Sequence, residues 1–272
     1  MDKFVDVKRL IVSKNKKLLK WLPGFVVRWI ERVIHQDEVN AFMAKYKDED
    51  AYGFSQGAIE TFNLQLDTKG LENVPKPPQS CIFVSNHPLG GLDAIAIIHS
   101  FKTTRPDIKF IVNDLLMNVR SLKEKFIGVN KVGRNAAASL QKVEEQFASG
   151  TATFIFPAGL VSRKTKGKIE DLEWKKTFIS KAKKYNKSVV PVHIDGRLTN
   201  RFYRLANVRK FLGVKLNIEM FFLVDELFKQ ANTKIDIVIG NPIKPEHFTS
   251  DKSDKEWAQW VKKQVYQLKE AE

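Results

Sequence analysis

The sequence predicts an α/β protein: a mainly parallel, twisted sheet flanked by helices, with an amphipathic helical N-terminal extension. Three observations carry this. Short, near-continuous Val/Ile/Phe runs recur from residue 81 onward, as strands buried on both faces do. Stretches of helical character separate several of those runs, the alternation of strand–helix–strand units. The first 35 residues follow a different pattern, with apolar groups at helical spacing among many cations.

Residues 1–66 read as the extension. Between positions 1 and 35, Lys3, Lys8, Arg9, Lys14, Lys16, Lys17, Lys20, Arg28 and Arg32 face only Asp2, Asp6 and Glu31. Leu18, Leu22, Phe25, Val26, Trp29, Ile30 and Val33 run among them, so that a helix gathers the bulky groups on one face. Trp21 and Trp29 each carry one N–H on an apolar ring, which suits a bilayer interface. Pro23-Gly24 divides the stretch into two shorter helices. The expectation is a peripheral anchor drawn to an anionic membrane surface. An amphipathic helix packed on its own domain is the plainer alternative.

Residues 67–79 hold Gly70, Pro75, Pro77 and Pro78 and read as a linker. The α/β domain is expected over 80–245. Its strands are expected at Cys81–Ser85, Lys109–Val112, Thr151–Phe156, Ser188–Ile194, Leu216–Val224 and Lys234–Ile239. Its helices are expected near 92–101, 114–125, 136–148 and 172–186. Residues 246–272 close the domain as a C-terminal helix, with Trp257, Trp260, Val261, Val265 and Leu268 on one face.

Composition narrows the function. At 43% hydrophobic and 28% charged, the 272-residue chain reads as globular rather than disordered. Its net charge of +15 favours an anionic partner. No helix-turn-helix, zinc-finger or RNA-recognition signature accompanies that charge, so no nucleic-acid partner is expected. The single cysteine, Cys81, excludes an internal disulfide and fits a reducing compartment. No signal peptide is visible, and no run approaches the ~20 apolar residues of a spanning helix. Membrane contact is therefore expected to be peripheral, at the cytoplasmic face of the cell membrane. His35, His99, His193 and His247 each lie alone, so no metal site is expected. Without a Walker loop or a Gly-x-Gly-x-x-Gly run, no cofactor is expected either.

The chemistry concentrates in Val84-Ser85-Asn86-His87-Pro88-Leu89-Gly90-Gly91-Leu92-Asp93, which leaves a buried strand and opens a helix. Such strand ends are where α/β folds place ligands. Pro88, Gly90 and Gly91 imply a tight turn that brings backbone close to a partner. Asp93 fits the first turn of the following helix and can fold back onto the imidazole. An aspartate on one ring nitrogen fixes the tautomer and supports the charge gained when histidine takes a proton. His87 is then a candidate general base for a hydroxyl. A loop histidine bonded to a helix-capping aspartate is the structural alternative. A thiol enzyme built on Cys81 is disfavoured, because apolar burial makes cysteine inert.

Four blocks in order resemble the glycerolipid acyltransferases of the lysophosphatidic-acid type, and more closely their bacterial hemolysin-like branch. Asn86-His87 through Asp93 resembles the catalytic block. Phe126-Ile127-Gly128-Val129-Asn130-Lys131-Val132-Gly133-Arg134 resembles the second block, which ends in arginine. Phe154 through Pro157-Ala158-Gly159 to Arg163 resembles the Phe-Pro-Glu-Gly-Thr-Arg-Ser block, and Val189 through Ile194 the closing Val-Pro-Val strand. The likeness covers about 80–240. Five residues separate His87 from Asp93 where the common pattern has four, and Ala158 replaces the family's glutamate.

The resemblance implies direct acyl transfer from a thioester to a lipid hydroxyl, with His87 and Asp93 catalytic. It places Asn86, Gly90, Gly91, Arg134, Pro157, Gly159 and Arg163 at the substrate. Arg134 and Arg163 are the implied anion binders. The acceptor is a lyso-aminolipid of ornithine or glycine type, or lysophosphatidic acid; the altered third block leans toward the aminolipids. The donor is acyl carrier protein, slightly favoured, or a coenzyme A thioester. A second basic stretch, 163–187, offers either donor a docking surface. A lipid-binding protein without catalysis is the rival reading.

Overall fold

The computed structural model describes residues 4–14, 23–129, 136–214 and 217–269. The chain opens with α1 (Val7–Lys14), α2 (Gly24–Val33), α3 (Gln36–Lys45) and α4 (Ala51–Thr61). Next come β1 (Gln65–Lys69), β2 (Cys81–Ser85), α5 (Gly91–Ser100), β3 (Lys109–Asn113) and β4 (Phe126–Val129). Then follow α6 (Ala136–Ala148), β5 (Thr153–Ile155), β6 (Arg163–Thr165), β7 (Lys168–Glu170), α7 (Thr177–Tyr185) and β8 (Ser188–Ile194). The last elements are α8 (Asn200–Phe211), α9 (Leu223–Phe228), β9 (Lys234–Ile239) and α10 (Asp254–Gln267).

Two compact units result. The larger comprises Glu49–Leu198 and Asn232–Glu272; the smaller comprises Met1–Asp48 and Thr199–Ala231. The larger is the α/β unit. Its seven-stranded sheet runs β1-β9-β8-β2-β5-β3-β4. Every neighbour pair is parallel except β8 with β9. The mainly parallel sheet flanked by helices expected from sequence is thus present. β2 lies near the centre with every residue buried, which is why its sequence reads as an unbroken apolar run. On one side of β2, Ile82 and Val84 pack in a cluster with Trp174, Phe178 and the Trp257 and Val261 face of α10. A capping box sets where α10 begins, with Ser253 and Glu256 each satisfying the other's backbone N–H.

Several boundaries differ from the sequence expectation. Residues 49–66 belong to the α/β unit rather than to an N-terminal extension. Asp50 caps α4 by accepting from the Tyr52 and Gly53 N–H groups. β1 enters the expected linker and adds to the sheet beside β9. Its partly polar sequence, Gln65-Leu66-Asp67-Thr68-Lys69, suits an edge strand and hides it from a search for apolar runs. The expected helix at 114–125 is two short 3-10 turns, Asp114–Asn118 and Arg120–Leu122. Leu216–Val224, read as a strand, instead contains the 3-10 turn Ile218–Phe222 and the start of α9, within the smaller unit. Periodicity over so short an apolar run cannot distinguish helical turns from a strand. Lys14 and Val33 bracket the expected break at Pro23-Gly24, with Pro23 preceding the first turn of α2. Leu18, Trp21 and Leu22 lie outside the described residues.

Candidate functional site

β2 delivers the site. At its end the Asn86 side chain donates to the Ile194 carbonyl and accepts from the Ile194 N–H, both at 2.8 Å. This amide, 3% exposed, extends the pairing of β2 with β8 by one side chain. Asn86, expected at the substrate, therefore serves to fix the strand end from which His87 projects.

The turn beyond His87 explains how five intervening residues still join the pair. Gly90 adopts φ +75°, ψ −130°, a conformation that side chains resist. This folds the first turn of α5 back, and Asp93 Oδ2 comes within 2.8 Å of His87 Nδ1. The same oxygen accepts from the Leu89 and Gly90 N–H groups, each at 3.0 Å. Gly91 lies exposed, with open space where a Cβ would stand, so the two glycines have different roles.

Asp93 is fully buried, and burial pushes its carboxyl above the usual range, opposed by the hydrogen bonds from His87 and Leu89. Asp93 Oδ1 has no hydrogen-bond partner among the described residues. All three donors thus converge on one oxygen. A carboxylate only accepts, so Nδ1 carries the ring proton and Nε2 presents a lone pair. No hydrogen bond among the described residues engages Nε2. The imidazole stacks on Phe156 at 4.1 Å between centroids, which holds its plane.

A second buried carboxylate, Asp171, grips the other side of His87. Its Oδ1 accepts from the His87 N–H at 3.2 Å and from the Ser162 hydroxyl at 2.6 Å. The Ser162 N–H in turn donates to the His87 carbonyl at 2.8 Å. Trp174 Nε1 donates to Asp171 Oδ2 at 2.9 Å, and the Asp171 N–H donates to the Tyr266 hydroxyl at 2.7 Å. Burial pushes this carboxyl up as well, against the hydrogen bonds from Ser162 and Trp174. Both main-chain polar groups of His87 are therefore tied down, and side-chain geometry follows. Asp171 escaped the sequence reading because it follows the β6–β7 hairpin, far from the motif; only its place among the lysines of 163–187 was visible.

The third block borders the same region. Phe156, Pro157 and Gly159 line a cleft of about 510 Å³ with Ile111, Val143 and Lys175. Gly159 sits at φ +69°, and Lys175 Nζ lies 2.8 Å from where its Cβ would be, so a side chain there would strain the backbone and strike the ammonium. Ala158 turns inward and joins the Trp174 cluster, where a glutamate would bury a charge. Arg163 is 8% exposed and donates to the Val161 carbonyl at 2.7 Å, so it braces the turn ahead of Ser162 instead of standing open to an anion. Arg134 lies outside the described residues. Cys81 is wholly buried and its thiol is pushed up to about 12 by burial, which removes it as a nucleophile.

Comparison with known proteins fits this geometry. A family model described as acyltransferase matches residues 9–272. A lyso-glycine lipid O-acyltransferase of Phocaeicola vulgatus is 40% identical over 265 residues, covering 97% of this chain and 95% of that protein. Another protein of that description, from Bacteroides thetaiotaomicron, is 42% identical, covering 97% of each. The crystal structure of the 1-acyl-sn-glycerophosphate acyltransferase PlsC from Thermotoga maritima superposes with a TM-score of 0.52 at 20% identity. That match covers 97% of this chain and 93% of the other, and shows a shared fold. A strand-end histidine held by a buried aspartate, on that fold and with those relatives, identifies the chain as an enzyme of the acyltransferase family.

Proposed function

We propose that this enzyme transfers a fatty acyl chain from a thioester to the free hydroxyl of a lyso-glycine lipid, with His87 as general base. The observation that carries the mechanism is the His87–Asp93 contact at 2.8 Å, which leaves Nε2 as the ring's proton acceptor. The acceptor is taken from the two relatives, each similar to this chain over nearly its whole length. Lysophosphatidic acid, the acceptor named for the structural neighbour, is the second candidate.

His87 Nε2 takes the hydroxyl proton as the oxygen attacks the thioester carbonyl. Asp93 supports the imidazolium. When the tetrahedral intermediate collapses, the carbon–sulfur bond breaks and the thiolate recovers the proton from His87. No acyl-enzyme forms. The cleft beyond Phe156 suits the acyl donor, with apolar walls for a chain and Lys175 as a positive group at its rim. Acyl carrier protein is the favoured donor, docking on exposed Lys166, Lys168 and Lys176, and a coenzyme A thioester is the alternative. No helix among the described residues is long and apolar enough to cross a membrane. Peripheral attachment at the cytoplasmic face of the cell membrane is part of the proposal, and the cations and bulky apolar groups of residues 1–35 are its support.

The test is a transfer assay with labelled acyl thioester and a panel of lyso-lipids. Wild type should acylate lyso-glycine lipid in preference to lysophosphatidic acid. His87→Ala should lose a factor of about 10² to 10⁴ in kcat with unchanged circular dichroism. Equal activity in the two proteins would remove the mechanism. A folded wild type that binds lyso-lipid but transfers nothing would favour the non-catalytic reading.

A further inference from the structure

The smaller unit keeps some of its largest apolar side chains outside. Phe211 is 90% exposed, Leu212 67% and Val208 50%, with Val214 at 41%. All four lie in the last turn of α8 and the turn that follows it. This is not a frayed end. Gly213 takes φ +69°, its N–H donates to the Lys210 carbonyl, and the Val214 N–H donates to the Arg209 carbonyl. These two bonds form a Schellman cap, which ends a helix in one defined geometry. Arg209 then pins the turn from within. Its Nη1 donates to the Val214 carbonyl at 2.7 Å, and its Nε lies 2.8 Å from Glu219, a carboxylate with no exposed surface. The tip is therefore fixed in shape while its apolar groups face water.

We infer that residues 208–214 form a preformed wedge that inserts into the interface of an anionic lipid bilayer. Charge selects this partner. From 199 to 214 the chain carries no carboxylate, and Arg201, Arg204 and Lys210 are exposed cations, while Arg209 is matched by Glu219. Cations beside bulky apolar groups are what an anionic headgroup layer over hydrocarbon attracts. A water-soluble partner would leave the cations needing a matching acidic surface, whereas the bilayer satisfies both features at once. Elsewhere in the same unit, Phe25 and Phe221 (67% and 66% exposed) and the half-exposed Trp29 also keep bulky apolar groups outside, on segments far apart in sequence. Trp29 meets Phe222 edge-on at 6.3 Å, so α2 and the turn before α9 contact each other. Membrane contact then depends on a segment inside the chain as well as on its N-terminus. The wedge rests on the peripheral-membrane reading for its partner, and on none of the catalytic roles.

The experiment uses the full chain with phosphatidylcholine vesicles, with and without phosphatidylglycerol. Wild type should sediment with the phosphatidylglycerol vesicles. The Phe211→Ser/Leu212→Ser double variant should bind them about tenfold or more weakly, while its turnover of micellar acceptor stays near wild type. A Leu212→Cys protein in a Cys81→Ala background, labelled with an environment-sensitive dye, should shift its emission to the blue on vesicle addition. If wild type sediments while the double variant binds equally and the dye does not shift, the wedge is refuted and the N-terminal anchor stands. If wild type ignores both kinds of vesicle, the peripheral-membrane reading and the wedge fall together. If the double variant lowers only the oligomeric state in sedimentation velocity, the tip covers a second copy of the chain and the inference is overturned.

Discussion

The α/β unit buries its carboxylates around one loop, while the helical unit buries its own beneath turns whose apolar side chains face outward. In the first, Asp93 and Asp171 are both buried and both accept from main-chain N–H groups next to or at His87. In the second, Glu226 accepts from the N–H and hydroxyl of Thr199, and Glu219 holds Arg209 under an exposed phenylalanine. Burying a carboxylate is costly unless donors meet it. Here main-chain N–H groups donate to Asp93, Asp171 and Glu226, and the Arg209 guanidinium meets Glu219, so each buried carboxylate fixes a stretch of chain. The same device serves different ends: in one unit it aims an imidazole, in the other it presents a greasy tip.

Replacements that remove one charge at a time test that contrast. Asp93→Asn should have the largest effect on turnover, a fall of about 10² to 10⁴ in kcat. An amide facing three donors loses at least one of them and no longer supports the imidazolium. A fall below threefold in a steady-state assay would show that the aspartate merely caps α5. Asp171→Asn should lower kcat by about tenfold to a hundredfold with KM little changed, because it loosens the backbone of His87 without touching substrate. Trp174 emission should shift in the same variant, since its indole N–H loses a carboxylate partner. An unchanged kcat beside a shifted Trp174 signal would leave Asp171 a purely structural group.

Glu219→Gln should do the reverse. It should cost about 1–3 kcal/mol of stability in thermal melts and weaken vesicle binding, yet leave kcat on micellar acceptor within about threefold. A large kcat loss would erase the distinction between the units. Cys81→Ala should have the smallest effect on activity, and its clearest signature is in pH. Burial raises the folded thiol pKa from 9.0 to about 12. Its contribution to stability is therefore complete below pH 9 and is lost as pH rises toward 12. The variant should show a shallower decline in stability across that window in denaturant titrations at stepped pH, while turnover at neutral pH stays near wild type.

Much of this protein is legible in the chain alone. β2 and β8 are read from continuous apolar runs, because a strand buried on both faces has no polar side to show. The His87–Asp93 pair is legible because its two residues belong to one turn, where glycine at a positive φ is a local requirement. What the sequence does not disclose rests on contacts between distant segments. Asp171 meets His87 across 84 positions and Asn86 meets Ile194 across 108, so no spacing rule could assign either partner. Arg163 resembles an anion binder until its guanidinium is found on the Val161 carbonyl. Leu216–Val224 has the composition of a strand, and only the unit it joins makes it helical. Periodicity and turn chemistry act over a few residues and are written locally. Which charge is buried, and what it then holds in place, is decided when the folded chain brings remote segments together.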